Sequence, residues 1–114
     1  MRIIITLVAL NVSLIAAAQV ATIGTTASGG ASTSMGNGTE ASGNSSTAMG
    51  QGSVASGDFS TAMGINTLSN GQGSTAMGSS TVASGLDSTA MGFDSEAIGN
   101  GSTAMGSSTS AIGT

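Results

Sequence analysis

Two hydrophobic patterns divide this chain. Ile3 to Ile15 is mostly Ile, Leu, Val and Ala, whereas from Gly29 onward single apolar residues recur at fixed intervals among Ser, Thr and Gly. A Gly stands at every seventh position from Gly29 to Gly113, with no insertion breaking the phase. The residue two before each Gly is Ala or Ser, and the residue four before it is Ser or Thr. The residue just before it alternates. Met35, Met49, Met63, Met77, Met91 and Met105 fill one half; Ser28, Ser42, Ser56, Asn70, Ser84, Ile98 and Ile112 fill the other. The unit is therefore fourteen residues, made of two unlike halves, and a repeat of that kind has to be read as one object.

A period of seven does not make this a coiled coil. That needs two apolar positions per heptad among good helix formers, and a Gly in every heptad costs a helix roughly 1 kcal/mol against Ala. Gly/Ser-rich disorder is the other alternative, but a disordered linker has no reason to keep phase. The pattern predicts an all-β solenoid in which Ser-Thr-Ala-Met-Gly is a five-residue strand and the next two residues turn. Asn37-Gly38, Gln51-Gly52, Ile65-Asn66, Gln72-Gly73, Asn100-Gly101 and Ser107-Ser108 are turn pairs on this reading, rich in residues that supply unusual backbone angles. Two strands and two turns close a coil of fourteen. Six coils from Gly29 to Gly113 would span roughly 29 Å at the ~4.8 Å spacing of strands.

Side chains along a strand alternate between faces. Ser, Ala and Gly of each strand share one face and are expected to line a narrow interior, Ala48 opposite Ala55 for example. Buried hydroxyls there need hydrogen-bond partners. Thr and Met share the outer face of one half, a column from Met35 to Met105 with a footprint on the order of 300 Å². Fully buried, six methionines would contribute roughly 10–18 kcal/mol before entropy costs. These six are the candidate contact residues between chains; the alternative is a Met ladder that stacks along a single chain. The other half presents Glu40/Ser42, Val54/Ser56, Leu68/Asn70, Val82/Ser84, Glu96/Ile98 and Ser110/Ile112, read as a mixed, solvated face.

Met1-Arg2, the apolar run and Ala16-Ala17-Ala18 have the layout of a secretory signal peptide. The expected cut follows Ala18 and leaves Gln19 as the new N-terminus: 1–18 leader, 19–26 linker, 27–114 repeats. A membrane-spanning segment is the alternative, but it needs ~20 apolar residues, and Asn11, Ser13 and Gln19 interrupt this one. Either way the repeats lie outside the cytoplasm.

Composition removes whole function classes. There is no Cys or His, and no basic residue besides Arg2. No disulfide or Cys-based zinc site is possible, and nucleic-acid binding by charge neutralisation is not expected. No His or Lys is present to activate a Ser or Thr nucleophile, so no enzyme activity and no cofactor are expected. The five acids are Glu40, Asp58, Asp87, Asp94 and Glu96. They do not gather. Asp94 and Glu96 alone make a poor calcium site, so all five read as isolated surface charges. Phe59 and Phe93 fall at turn positions on opposite edges.

The Ser-x-Ala-x-Gly repeat in fourteens after a leader resembles the head of YadA-like trimeric autotransporter adhesins. "SEAIGNGSTAMGSSTSAIG", Ser95 to Gly113, is especially close to the short head repeat of that family. The resemblance spans Ala27 to Thr114. It implies a left-handed parallel β-roll, three of which pack about one axis as a homotrimer. The Met-bearing strands would then face that axis. It also implies attachment to matrix proteins, to surfaces or to other heads, in a secreted or cell-surface setting. The family's neck, coiled-coil stalk and membrane-anchoring barrel are not recognised in these residues, so the expectation is a head module without its own anchor. Two other functions stay open: an ice-binding solenoid, given the Thr column Thr33 to Thr103, and a structural fibre segment. Bulky Met beside each Thr argues against ice, and thermal hysteresis would decide it.

Overall fold

The computed structural model describes residues 23–113. The leader and the Ala18/Gln19 cleavage site lie outside them. Of the segment 19–26, the described residues already follow the coil: the Gly38 amide donates to the Ile23 carbonyl at 3.0 Å. All regular structure among the described residues is parallel β, with no helix. The elements alternate long and short. The short strands are β1 (Thr26–Ala27), β3 (Glu40–Ala41), β5 (Val54–Ala55), β7 (Leu68–Ser69), β9 (Val82–Ala83), β11 (Glu96–Ala97) and β13 (Ser110–Ala111). The long ones are β2 (Thr33–Asn37), β4 (Thr47–Gln51), β6 (Thr61–Ile65), β8 (Thr75–Ser79), β10 (Thr89–Phe93) and β12 (Thr103–Ser107). The short strands form one seven-stranded sheet and the long strands one six-stranded sheet. Every partner lies fourteen residues away, as in Met49↔Met63 and Ala41↔Ala55.

The two halves are unequal, a departure from the five-residue strands expected in both. In the short half, two successive amides share one carbonyl of the next coil. Ser42 and Gly43 both donate to Ala55, at 3.0 and 3.3 Å, and Ser56 and Gly57 both donate to Ser69. That shared acceptor ends the ladder after two residues. The chain then turns, the Ser60 amide donating to the Gly57 carbonyl at 3.2 Å, which is the closing bond of a β-turn.

Both corners use a residue in the left-handed region. From Gly24 to Ser108 every seventh residue takes it, with φ between 51° and 72°. From Gly38 onward its amide donates across the coils to a carbonyl fifteen residues earlier, as Gly52 does to Asn37 at 2.8 Å. Gly, Asn, Asp and Ser fill most of these positions, but Ala31 and Phe59 also occupy them. A left-handed conformation costs an L-residue about 1–2 kcal/mol, partly offset by the extra unfolded-state entropy of a Gly. The Phe59 ring is 63% exposed and has little packing to lose. Phe59→Gly is therefore expected to stabilise the fold by about 0.5–1 kcal/mol, read as a raised urea midpoint with unchanged slope.

Among the described residues the interior contains nothing larger than Thr. Its buried apolar residues are all alanines, Ala41 to Ala104, and its buried polar residues are all Ser or Thr. Two alanine clusters, Ala41 to Ala62 and Ala76 to Ala104, are separated where Ser69 replaces an alanine. The hydroxyls are only partly paired. Ser46 Oγ donates to the Gly43 carbonyl at 2.7 Å, and Ser74 Oγ to the Gly71 carbonyl at 2.7 Å. Ser53 Oγ donates to the Gly64 carbonyl at 3.1 Å and accepts from Thr67 Oγ1 at 2.9 Å. Ser60, Thr81, Ser88 and Ser102 hydroxyls are buried without a partner. A net hydrogen bond contributes about 1 kcal/mol, while a buried unpaired hydroxyl is a penalty. Ser46→Ala should lower stability by about 1 kcal/mol and Ser88→Ala should be neutral or stabilising, compared by urea denaturation.

Candidate functional site

The long strands set the most regular surface of the molecule. Strand alternation turns Thr and Met outward while Ala points into the roll. Parallel pairing without a slip then places Met35, Met49, Met63, Met77, Met91 and Met105 in one ladder. Thr33 to Thr103 form a second ladder beside it. The inner methionines are half-buried, and Met105, with no strand beyond it among the described residues, is 60% exposed. Each inner side chain therefore has part of its surface covered by the rungs above and below. The single-chain stacking weighed from the sequence does occur. It lowers what a partner adds: burying the remainder contributes less than the 1.5–3 kcal/mol of a fully exposed Met.

The opposite sheet is mixed, as expected from the sequence, but it is not solvated throughout. Val54, Leu68 and Val82 stack in register on β5, β7 and β9 and are half-buried. Exposed Glu40 and Glu96 occupy the same column on β3 and β11 and bracket this stripe. Burial here comes from neighbouring coils, which a single strand's alternation does not report. Ile98, 41% exposed, and Ile112, 69% exposed, lie in the parallel column.

The acids remain dispersed. Asp94 and Glu96 border a concavity of about 320 Å³ with Ser80, Val82 and Ser110. No three potential metal-ligating His, Cys, Asp or Glu residues come together among the described residues. Asp58 has a structural partner that the sequence reading missed: its Oδ1 accepts the Asn44 amide at 2.9 Å. Asn44 Oδ1 in turn accepts the Gly30 amide at 3.1 Å, and Asn100 Oδ1 accepts the Leu86 amide at 3.0 Å. These side chains reach back one coil and satisfy turn amides that the sheet does not pair. The signal was legible as Asn or Asp just after the second Gly of the unit. Phe59 sits at the corner that leaves the short sheet, and Phe93 ends β10 at the other edge; both rings are exposed.

The face therefore offers apolar contact and hydroxyls in a periodic array. The repeat also matches a known family. The YadA head domain repeat model aligns to residues 27–53, 41–67, 69–95 and 83–109, more than half of the chain. Within each pair the matches begin one fourteen-residue coil apart. No curated protein matches the chain.

Proposed function

Because the chain belongs to the YadA head domain repeat family, we propose that it is the head of a trimeric, surface-exposed adhesin, in which three chains pack through their six-stranded sheets. The observation that carries this reading is the in-register Met ladder on the outside of that sheet. Among the described residues the outer face of that sheet carries an unbroken apolar column, whereas the seven-stranded sheet breaks its own apolar column with exposed Glu40 and Glu96. Met35, Met49, Met63, Met77, Met91 and Met105 are the contact residues, with the Thr column alongside. Delivery outside the cytoplasm relies on the leader, cut between Ala18 and Gln19.

The seven-stranded sheet and the two corners then face outward. They carry all five acids and the exposed ring of Phe59, while the exposed Phe93 lies at the edge of the six-stranded sheet. Attachment to a matrix protein, a surface or another head takes place through these side chains, and the role is binding rather than catalysis. The test is the mass in solution of the exported chain, together with its N-terminal residue. A particle of three chains, each starting at Gln19, is the expected result. A monomer at micromolar concentration overturns the assembly, and an uncut N-terminus overturns the leader.

A further inference from the structure

Methionine is not the obvious filling for the ladder. The equivalent slot before Gly in the short half accepts Ile98 and Ile112, and a branched aliphatic suits a strand better than Met. Yet all six long strands use Met. What Met adds is an oxidisable sulfur. The chain contains no Cys to consume an oxidant first. In the single chain the inner methionines keep part of their surface open, and Met105 is 60% exposed.

We propose that the methionine ladder is a reversible oxidation site that controls whether chains assemble, an inference that rests on the ladder being the contact face. The oxidant is a peroxide. A thioether lone pair attacks one peroxide oxygen, an S–O bond forms as the O–O bond breaks, and water leaves. Sulfur loses two electrons and the peroxide gains them. The product is a polar sulfoxide within a ladder whose rungs stand ~4.8 Å apart. Buried at a contact without a donor, each sulfoxide oxygen weakens association roughly 5- to 150-fold, the range set by one unpaired polar group. Several in one ladder compound. Assembled chains shield the inner methionines, and unassembled chains do not. Sulfoxide reductases restore the thioether, two thiols giving up two electrons and two protons to become a disulfide while the sulfoxide oxygen leaves as water.

The experiment treats the full exported chain with hydrogen peroxide, either folded or in denaturant before refolding. Peptide mass mapping reads each Met, and sedimentation velocity reads the particle. Expected are slow oxidation of Met49, Met63, Met77 and Met91 in the assembled chain, complete oxidation in denaturant, and a refolded product that stays monomeric. Treatment with the reductases should return the assembly. A variant with Leu at all six positions should assemble and ignore peroxide. Oxidised chains that refold to the parent mass overturn the switch while leaving the assembly face intact. An untreated chain that is itself monomeric overturns the assembly reading, and the switch with it.

Discussion

Met63→Glu combined with Met77→Glu is expected to yield a folded chain that no longer assembles. Both residues point outward from neighbouring long strands, β6 and β8, so the alanine interior does not have to accommodate the change. Between chains the effect is large. Each subunit would bring two carboxylates ~4.8 Å apart to the contact, and none of the described residues is basic. Burying an unpaired charge costs several kcal/mol, and three subunits multiply the penalty. Association should therefore fall below detection at micromolar concentration, read by sedimentation velocity, while the far-UV spectrum remains β. Leu68→Glu on the opposite sheet is the control and should keep the parent mass. A double variant that sediments like the parent places the contact elsewhere, and dissociation by Leu68→Glu would exchange the roles of the two sheets.

Gly64→Ala should be among the most damaging small substitutions in the roll. A Cβ built on Gly64 would lie 1.9 Å from the carbonyl oxygen of Gly78 in the next coil, and its φ is +131°. The obstacle is backbone, and no rotamer relieves it. Coils cannot separate locally without breaking their ladder. Overpacking and backbone strain together predict a loss of about 3–5 kcal/mol, a large part of the total stability of a domain this size. Gly101→Ala makes the contrast. Its φ is +64°, but nothing lies within 4 Å of the added atom, so only the conformational cost of about 1–2 kcal/mol applies. Urea denaturation of the two variants beside the parent checks the ranking. Equal losses would mean that coil-to-coil contact is not what holds the column to Gly.

That column shows where sequence reading stops. Strand alternation groups Ser, Ala and Gly as small residues lining a narrow interior. For Ala this is right: Ala48, Ala55 and Ala62 are wholly buried. For Gly the direction is different. The missing side chain of Gly64 would point along the stack into the next coil, and so would that of Gly57, whose Cβ would lie 2.2 Å from the Gly71 carbonyl oxygen. A position that tolerates only small residues looks the same in a sequence whether the obstacle is inward or axial. The left-handed corners were hidden for a related reason. Gly, Asn and Asp mark them at most coils, but Ala31 and Phe59 break the compositional signal.

The period of fourteen, the parallel β-solenoid and the outward direction of the Met and Thr columns are legible in the residues alone. Those features follow from equivalence between repeats and from alternation along each strand. The unequal strand lengths, the axial reason for Gly, the half-burial of the methionines and the Val54–Leu68–Val82 stripe emerge only when the coils are stacked. Each depends on contacts between residues fourteen or fifteen apart, across coils. Periodicity says which residues are stacked, but how closely they stack depends on the carbonyls and amides that coils exchange.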